Sequence, residues 1–163
     1  MTPTEQFIRV LTGLKSGDLG MLRTYAGNSL EKSVSGFDLF TGLWWPLRHK
    51  NQRAPRREVA WLVAKLYAFC PIQQSDYTFA SQLGRCRIPQ SRNKDRLPQK
   101  FDDLLMQRLD NLEPALRWGL DLIARNDLDV DWVKLTEDLS IWGRESTRLR
   151  WANEFLTTFE GGE

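Results

Sequence analysis

A basic stretch broken by two prolines, Gln82–Phe101, is the feature that most constrains how this 163-residue chain folds. A proline removes a backbone donor and disfavours helix in the residue before it, so no continuous helix crosses Pro89 and Pro98. The stretch contains a single acid, Asp95. Its six cations are Arg85, Arg87, Arg92, Lys94, Arg96 and Lys100. Their mutual repulsion extends the segment, which is consistent both with a polyanionic partner and with a solvated loop that has none.

Apolar residues recur at three- and four-residue spacing on both sides of this stretch, as they do in amphipathic helices. In the first half the clearest helix has Pro55 in its first turn and runs to about Phe69, and Thr4 is expected to cap the first helix of the chain. No alternation typical of strands competes with these patterns. The sequence therefore predicts an all-α fold of two small helical bundles, residues 1–95 and 96–163, joined by the basic, proline-containing segment.

Composition and residue counts exclude several protein classes. A hydrophobic share of 41% and a charged share of 27% are typical of a globular chain, not a disordered one. No apolar run reaches the length of a membrane span, and the N-terminus lacks the layout of a secretory signal. Two cysteines, Cys70 and Cys86, and one histidine, His49, are too few for a structural zinc site. We therefore expect no metal, no cofactor and a reducing, cytoplasmic location.

Patterns that would indicate catalysis are weak throughout the chain. The alternating Asp127, Asp129 and Asp131 lack the glycine and glutamate that a calcium loop requires, so helix capping and solvation explain them better. Neighbours such as Glu137 and Asp138 point about 100° apart on a helix and do not converge by themselves. No glycine-rich phosphate loop or nucleophile elbow is present. We expect no enzyme activity and assign no catalytic residue.

The seven tryptophans raise the question of base stacking on nucleic acid. Four fall within helical patterns and are expected to be buried: Trp61, Trp132, Trp142 and Trp151. Trp44 and Trp45 lie beside a second basic run, residues 48–57, so either one is a candidate for an exposed contact. Lys65 is an isolated cation that is expected to keep a helix face soluble.

The order of short motifs along the chain resembles a known family. These motifs are Leu83-Gly84-Arg85, a basic turn, Lys100–Leu105, Val130–Trp132, Leu135–Gly143 and Trp151–Phe155. In this order and spacing the chain resembles the small subunit of the type I-E CRISPR surveillance complex Cascade, the CasB family. In the first half, Asn51–Pro71 resembles the central helix of that family. Lys100 stands where the family often has Arg, which keeps the charge but loses a bidentate fork.

The resemblance implies an all-α, non-catalytic protein of antiviral defence, present in two copies beside the backbone and large subunits and the guide RNA. It implies that a basic surface stabilises the R-loop by binding the backbone of the target and displaced DNA strands. By position, it assigns this role to Arg23, Arg53, Arg57, Arg85, Lys100 and Arg144. The dense basic stretch adds Arg87, Arg92, Lys94 and Arg96. A helical spacer that binds only protein neighbours is the alternative.

Overall fold

A computed structural model describes residues 1–29, 34–87 and 96–161 of the chain. The helices over these residues are α1 (Pro3–Thr12), α2 (Ser16–Arg23), α3 (Val34–Lys50), α4 (Arg57–Phe69), α5 (Phe79–Arg85), α6 (Arg96–Leu105), α7 (Glu113–Arg125), α8 (Trp132–Ser140) and α9 (Glu145–Gly161). The described residues contain no strand, only an isolated bridge between Gln74 and Val130. The predicted all-α class is confirmed. None of the described helices has the length and apolar character that a membrane crossing requires.

The helices form two compact units that are not contiguous in sequence. The first unit is Met1–Pro71 with Trp132–Ser140, so it contains α1 to α4 and α8. The second unit is Ile72–Asp131 with Ile141–Glu163 and contains α5, α6, α7 and α9. The predicted boundary at residue 95 falls outside the described residues and stays a prediction.

Helix α4 is the core of the first unit. Every residue from 59 to 68 is buried, and α2, α3 and α8 pack against the helix. A helix that is apolar on all sides needs such cover from several neighbours. Even Lys65 is only 5% exposed: its amine donates to the carbonyl of Asn28 at 2.8 Å and lies 5.3 Å from the ring centroid of Trp61. The expectation that Lys65 keeps a surface soluble was therefore wrong.

The first helix begins earlier than the sequence suggested. The backbone N–H of Glu5 donates to Oγ1 of Thr2 at 3.1 Å, so Thr2 and not Thr4 is the N-cap. Pro3 then occupies the first turn, where its fixed φ suits a helix and its missing N–H is not needed. Thr4 itself is buried within α1.

The second unit is built around aromatic side chains and one close helix pair. The rings of Phe101 and Phe155 stack with centroids 4.3 Å apart, and α5 packs directly against α9. At Gly84 of α5 an added Cβ would overlap the Thr158 hydroxyl and the Phe155 carbonyl oxygen of α9. The Thr158 hydroxyl donates to the carbonyl of Ser81 at 2.7 Å. Glycine is thus required for this approach of two backbones.

The four tryptophans that were expected to be buried are all buried. Trp61, Trp132, Trp142 and Trp151 are between 0% and 4% exposed. Two of the indole N–H groups donate to backbone carbonyls, that of Trp61 to Asn28 at 2.9 Å and that of Trp142 to Gln107 at 2.9 Å. Buried indoles ordinarily find such a partner. These four side chains therefore belong to the cores of the two units.

Candidate nucleic-acid interface

Eight of the ten predicted nucleic-acid-binding cations lie in the described residues, and the structure places all eight side chains at the surface. In the first unit these are Arg23, Arg53 and Arg57, and in the second unit Arg85, Arg87, Arg96, Lys100 and Arg144. Arg92 and Lys94 lie outside the described residues.

In the first unit, two side chains from α3 hold the segment that leads into α4. Trp44 Nε1 donates to the carbonyl of Pro55 at 2.6 Å. Arg48 donates to the carbonyls of Gln52 and Ala54 at 2.5 and 2.6 Å. The charge of Arg48 is thus used inside the fold, and the backbone of this segment is fixed from α3.

Arg53 and Arg57 lie on this fixed segment, with Arg53 in the turn and Arg57 at the start of α4. Residues 45–57, here called the basic segment, contain five Lys or Arg and no Asp or Glu. The Arg56 side chain is engaged within the protein, because it pairs with Glu58 at 3.5 Å and donates to the carbonyl of Ser140 at 2.9 Å. The Arg57 cation stands at a helix N-terminus, where positive charge is locally unfavourable. Because the basic segment contains five cations and no acid, its net charge is positive.

In the second unit, two contacts define the orientation of Arg85. One of its guanidinium nitrogens donates to Oε1 of Gln82 at 2.7 Å, and the guanidinium lies 5.0 Å from the ring centroid of Tyr77. Gln82 is buried and is fixed in turn, since its amide donates to the carbonyl of Asp129 at 2.7 Å. An exposed cation that is already oriented loses less conformational entropy when it binds an anion. Gln82 was not predicted from the sequence, because its partner is 47 positions away and leaves no local pattern.

Arg87 follows Arg85 by two residues, and its backbone is tied down while its side chain is exposed. The N–H of Arg87 donates to Oδ1 of Asn126 at 2.9 Å. The intervening Cys86 is buried, and burial raises the pKa of its thiol to about 12, with the Arg87 charge opposing that rise. A thiol with this pKa is protonated at neutral pH and is a poor nucleophile. Cys86 is therefore a packing residue.

Arg96 and Lys100 lie four residues apart on α6, so they share one face of that helix. The Lys100 amine lies 5.3 Å from the ring centroid of Trp118. Asp102 and Asp103 are exposed on the same helix. Helix α6 therefore carries both signs of charge and is less purely basic than the basic segment.

Arg23 and Arg144 both lie at the end of a helix, Arg23 in the first unit and Arg144 in the second. Arg23 is the last residue of α2, where the helix dipole stabilises a positive charge. Its Nε donates to the carbonyl of Leu19 at 3.4 Å. Arg144 directly precedes α9, and its N–H donates to the carbonyl of Ile141 at 3.0 Å. A local structural reason thus exists for Arg23, while the Arg144 side chain is exposed without one.

Seven of the predicted cations keep a positive charge that no carboxylate in the described part of the chain neutralises. Within the described ranges, no ion pair is made by Arg23, Arg53, Arg85, Arg87, Arg96, Lys100 or Arg144. Some cations outside this set do pair with carboxylates, as Arg125 does with Asp121 at 3.0 Å and Arg108 does with Asp110 at 3.9 Å. These seven exposed, unpaired cations can accept an external anion without breaking an internal ion pair.

The carboxylates of the neighbours Glu137 and Asp138 do not converge on one site. Asp138 is buried, with Lys134 at 3.9 Å, whereas its neighbour Glu137 is exposed. Among residues 1–29, 34–87 and 96–161, no group of three His, Cys, Asp or Glu side chains is placed to hold a metal ion. The chemistry that these surfaces support best is therefore the binding of anions through exposed cations.

Comparison with known proteins identifies the family of the chain. A model of the family described as CRISPR-associated protein Cse2 matches residues 18–156. The chain belongs to the Cse2 family. The family predicted from the order of its motifs is thereby confirmed. No curated protein matches this Cse2-family chain significantly.

Solved structures agree with the Cse2 assignment at the level of the fold. M. ruber CasB is similar with a TM-score of 0.76 and 22% identity over 98% of this chain and 96% of that one. Thermus thermophilus CasB is similar with a TM-score of 0.67 and 24% identity over 95% and 98% of the two chains. A chain from a structure described as a CRISPR RNA-guided surveillance complex gives a TM-score of 0.72 and 18% identity over 98% and 94%.

Proposed function

We propose that this Cse2-family chain is the non-catalytic small subunit of a CRISPR RNA-guided surveillance complex of the Cascade type. In that complex it binds the nucleic-acid backbone and stabilises the R-loop. The observation that carries the proposal is the set of seven exposed cations without ion pairs. Family membership supports the CRISPR context, and the chain shares its fold with a chain of a structure described as such a complex.

The physical role follows from the energetics of strand exchange. Replacing a DNA duplex by an RNA–DNA hybrid is nearly balanced in free energy, so modest contacts between protein and backbone are enough to favour the R-loop. Contacts from Arg53 or Arg85 to phosphates are independent of sequence, because phosphates carry no base information. Pairing with the guide RNA supplies the specificity, and this chain supplies sequence-independent affinity.

The proposed partners follow from this role. They are the target strand and the displaced strand, together with the guide RNA, the backbone and large subunits, and a second copy of the chain. Charge-assisted contacts from guanidinium groups to phosphate are short and strong, and an arginine can bind two oxygens at once. Arg85, already held by Gln82, is the side chain best prepared for such a contact.

A second candidate function is an assembly spacer that binds only protein neighbours. It is favoured by an exposed apolar pair on α9, where Leu149 is 57% exposed and Leu156 is 45% exposed. These two side chains lie seven residues apart, so they share one face of the helix. In this case the Leu pair is the contact and the unpaired cations are incidental.

Co-expression of the chain with its neighbouring gene products and a guide RNA tests the proposal. We expect the chain to co-purify with them. We expect the complex lacking it to bind target DNA at least about tenfold more weakly, a loss of about 1.4 kcal/mol. Equal affinity with and without the chain contradicts the R-loop role. A complex that fails to assemble without the chain, yet tolerates changes at Arg85, supports the spacer instead.

A further inference from the structure

The last two turns of α3 present two pairs of side chains with different surroundings. Trp44 and Arg48 hold the following segment through hydrogen bonds to its carbonyls. Trp45 and His49, also four residues apart, lie next to them and are exposed. Their ring centroids are 5.4 Å apart, with the planes inclined by 34°. The two rings form a small aromatic surface at the end of the helix.

Trp44 is held by the fold on two sides, whereas Trp45, among the aromatic rings of the described residues, contacts only those of Trp44 and His49. The ring of Trp44 lies parallel to that of the buried Phe40, with centroids 5.6 Å apart, and its N–H is bonded to Pro55. Trp45 is 50% exposed, and its indole N–H makes no hydrogen bond to the described part of the chain. Single exposed aromatic residues are ordinary on protein surfaces, so exposure alone indicates no ligand.

The charge around Trp45 indicates what its partner is. Trp45 and His49 stand within the basic segment, which contains no acid and exposes Lys50 and Arg53. An apolar protein surface placed on this segment would remove water from the cations and offer no polar group in its place, which is unfavourable. A nucleic-acid strand offers both an aromatic face and phosphates. A duplex hides its base faces, so only an unpaired strand presents both.

We propose that Trp45 stacks on an unpaired base of a single strand while Lys50 and Arg53 contact the adjoining phosphates. The His49 ring, packed beside Trp45, supports the stacking ring. This inference rests on the proposed function and narrows its ligand to single-stranded nucleic acid. Stacking on an aromatic side chain is tolerant of base identity, because every base has a π-face. The contact therefore adds affinity for unpaired strands and little sequence preference.

The test compares three fluorescently labelled DNAs of equal length: a single strand, the same backbone without bases, and a duplex. Binding to the full-length chain and to the co-purified complex is measured by fluorescence anisotropy. We expect Trp45→Ala to weaken single-strand binding by roughly 5- to 100-fold and Trp45→Phe to retain most of it. Binding of the abasic strand is expected to be unchanged by either substitution.

Three outcomes overturn the inference and leave the proposed function intact. One is equal single-strand affinity for the wild-type chain and Trp45→Ala. Another is wild-type protein that binds the abasic strand as tightly as the normal strand, a comparison that needs no variant to fold. A Trp45→Ala protein that loses its protein neighbours but keeps its DNA affinity also overturns it. Absence of binding to every DNA, by both chain and complex, contradicts the proposed function itself.

Discussion

Reversing the charge of Arg85, Arg87 and Lys100 together is expected to weaken target-DNA binding by the assembled complex roughly 100-fold. The estimate takes about 1 kcal/mol for each lost phosphate contact. All three side chains are exposed, and none forms an ion pair within the described residues, so the variant is expected to fold. The measurement is the equilibrium affinity for target DNA at fixed salt, with circular dichroism to check the helical content.

A matched control separates local contacts from overall charge. Arg9→Glu, Lys15→Glu and Arg108→Glu reverse three exposed cations that are not among the predicted nucleic-acid-binding residues. Either triple variant takes the formal net charge from +2 to −4, because each reversal changes it by two. The control triple is expected to retain affinity within a few fold of the wild type. If both triples lose affinity equally, net charge explains the binding and the proposed interface is wrong.

Gly84→Ala is expected to destabilise the protein by about 2 kcal/mol, even though alanine is the better helix former. The new Cβ would overlap the Thr158 hydroxyl and the backbone oxygen of Phe155, and it would approach the Phe159 nitrogen at 3.1 Å. A backbone oxygen within a packed helix cannot rotate away as a side chain can, so α5 and α9 must move apart. For a chain of this size, that loss lowers Tm by roughly 4–8 °C.

The same substitution at Gly42 is the control for Gly84→Ala. Gly42 lies inside α3, and an added Cβ there meets nothing within 4 Å. Gly42→Ala is therefore expected to be neutral or to stabilise by up to about 1 kcal/mol. Thermal and denaturant unfolding followed by circular dichroism compares the two variants. A Gly84→Ala protein as stable as Gly42→Ala would show that α5 and α9 are not in close contact.

The features that local pattern determines were predictable from the sequence. The clearest helical pattern ends at about Phe69, and α4 ends at that residue. The burial of Trp61 and Trp132 followed from helical spacing alone. The family was predicted from the order and spacing of short motifs, and the match to the family model confirms it. These are properties that neighbouring residues along the chain express directly.

The features that depend on distant partners were not predictable. The sequence left open which of Trp44 and Trp45 is exposed, and the answer depends on a carbonyl eleven residues away. Lys65 follows a helical pattern like any surface cation, yet the Asn28 carbonyl and the Trp61 ring hold it in the core. Nothing in the pattern around Leu135 indicates that α8 joins the first unit rather than the second. Long-range packing decides each of these cases.

The candidate site was predictable in part. Density of charge singled out Arg85 and Arg87, and the structure places both at the surface. The sequence did not distinguish Arg48, whose charge is used by two carbonyls of the fold, from Arg53, whose side chain is exposed. That distinction depends on the geometry of one turn. The alignment of the cations from both halves into one track stays a prediction.

The salt dependence of target-DNA binding tests the central claim, that this chain contributes direct phosphate contacts. Affinity is measured over a series of salt concentrations for the complex with and without the chain. A single strand gives a slope of about −0.7 per phosphate contact in a plot of log affinity against log salt. With about four to six contacts, we expect the slopes to differ by roughly −3 to −4. Equal slopes for the two complexes would contradict the claim.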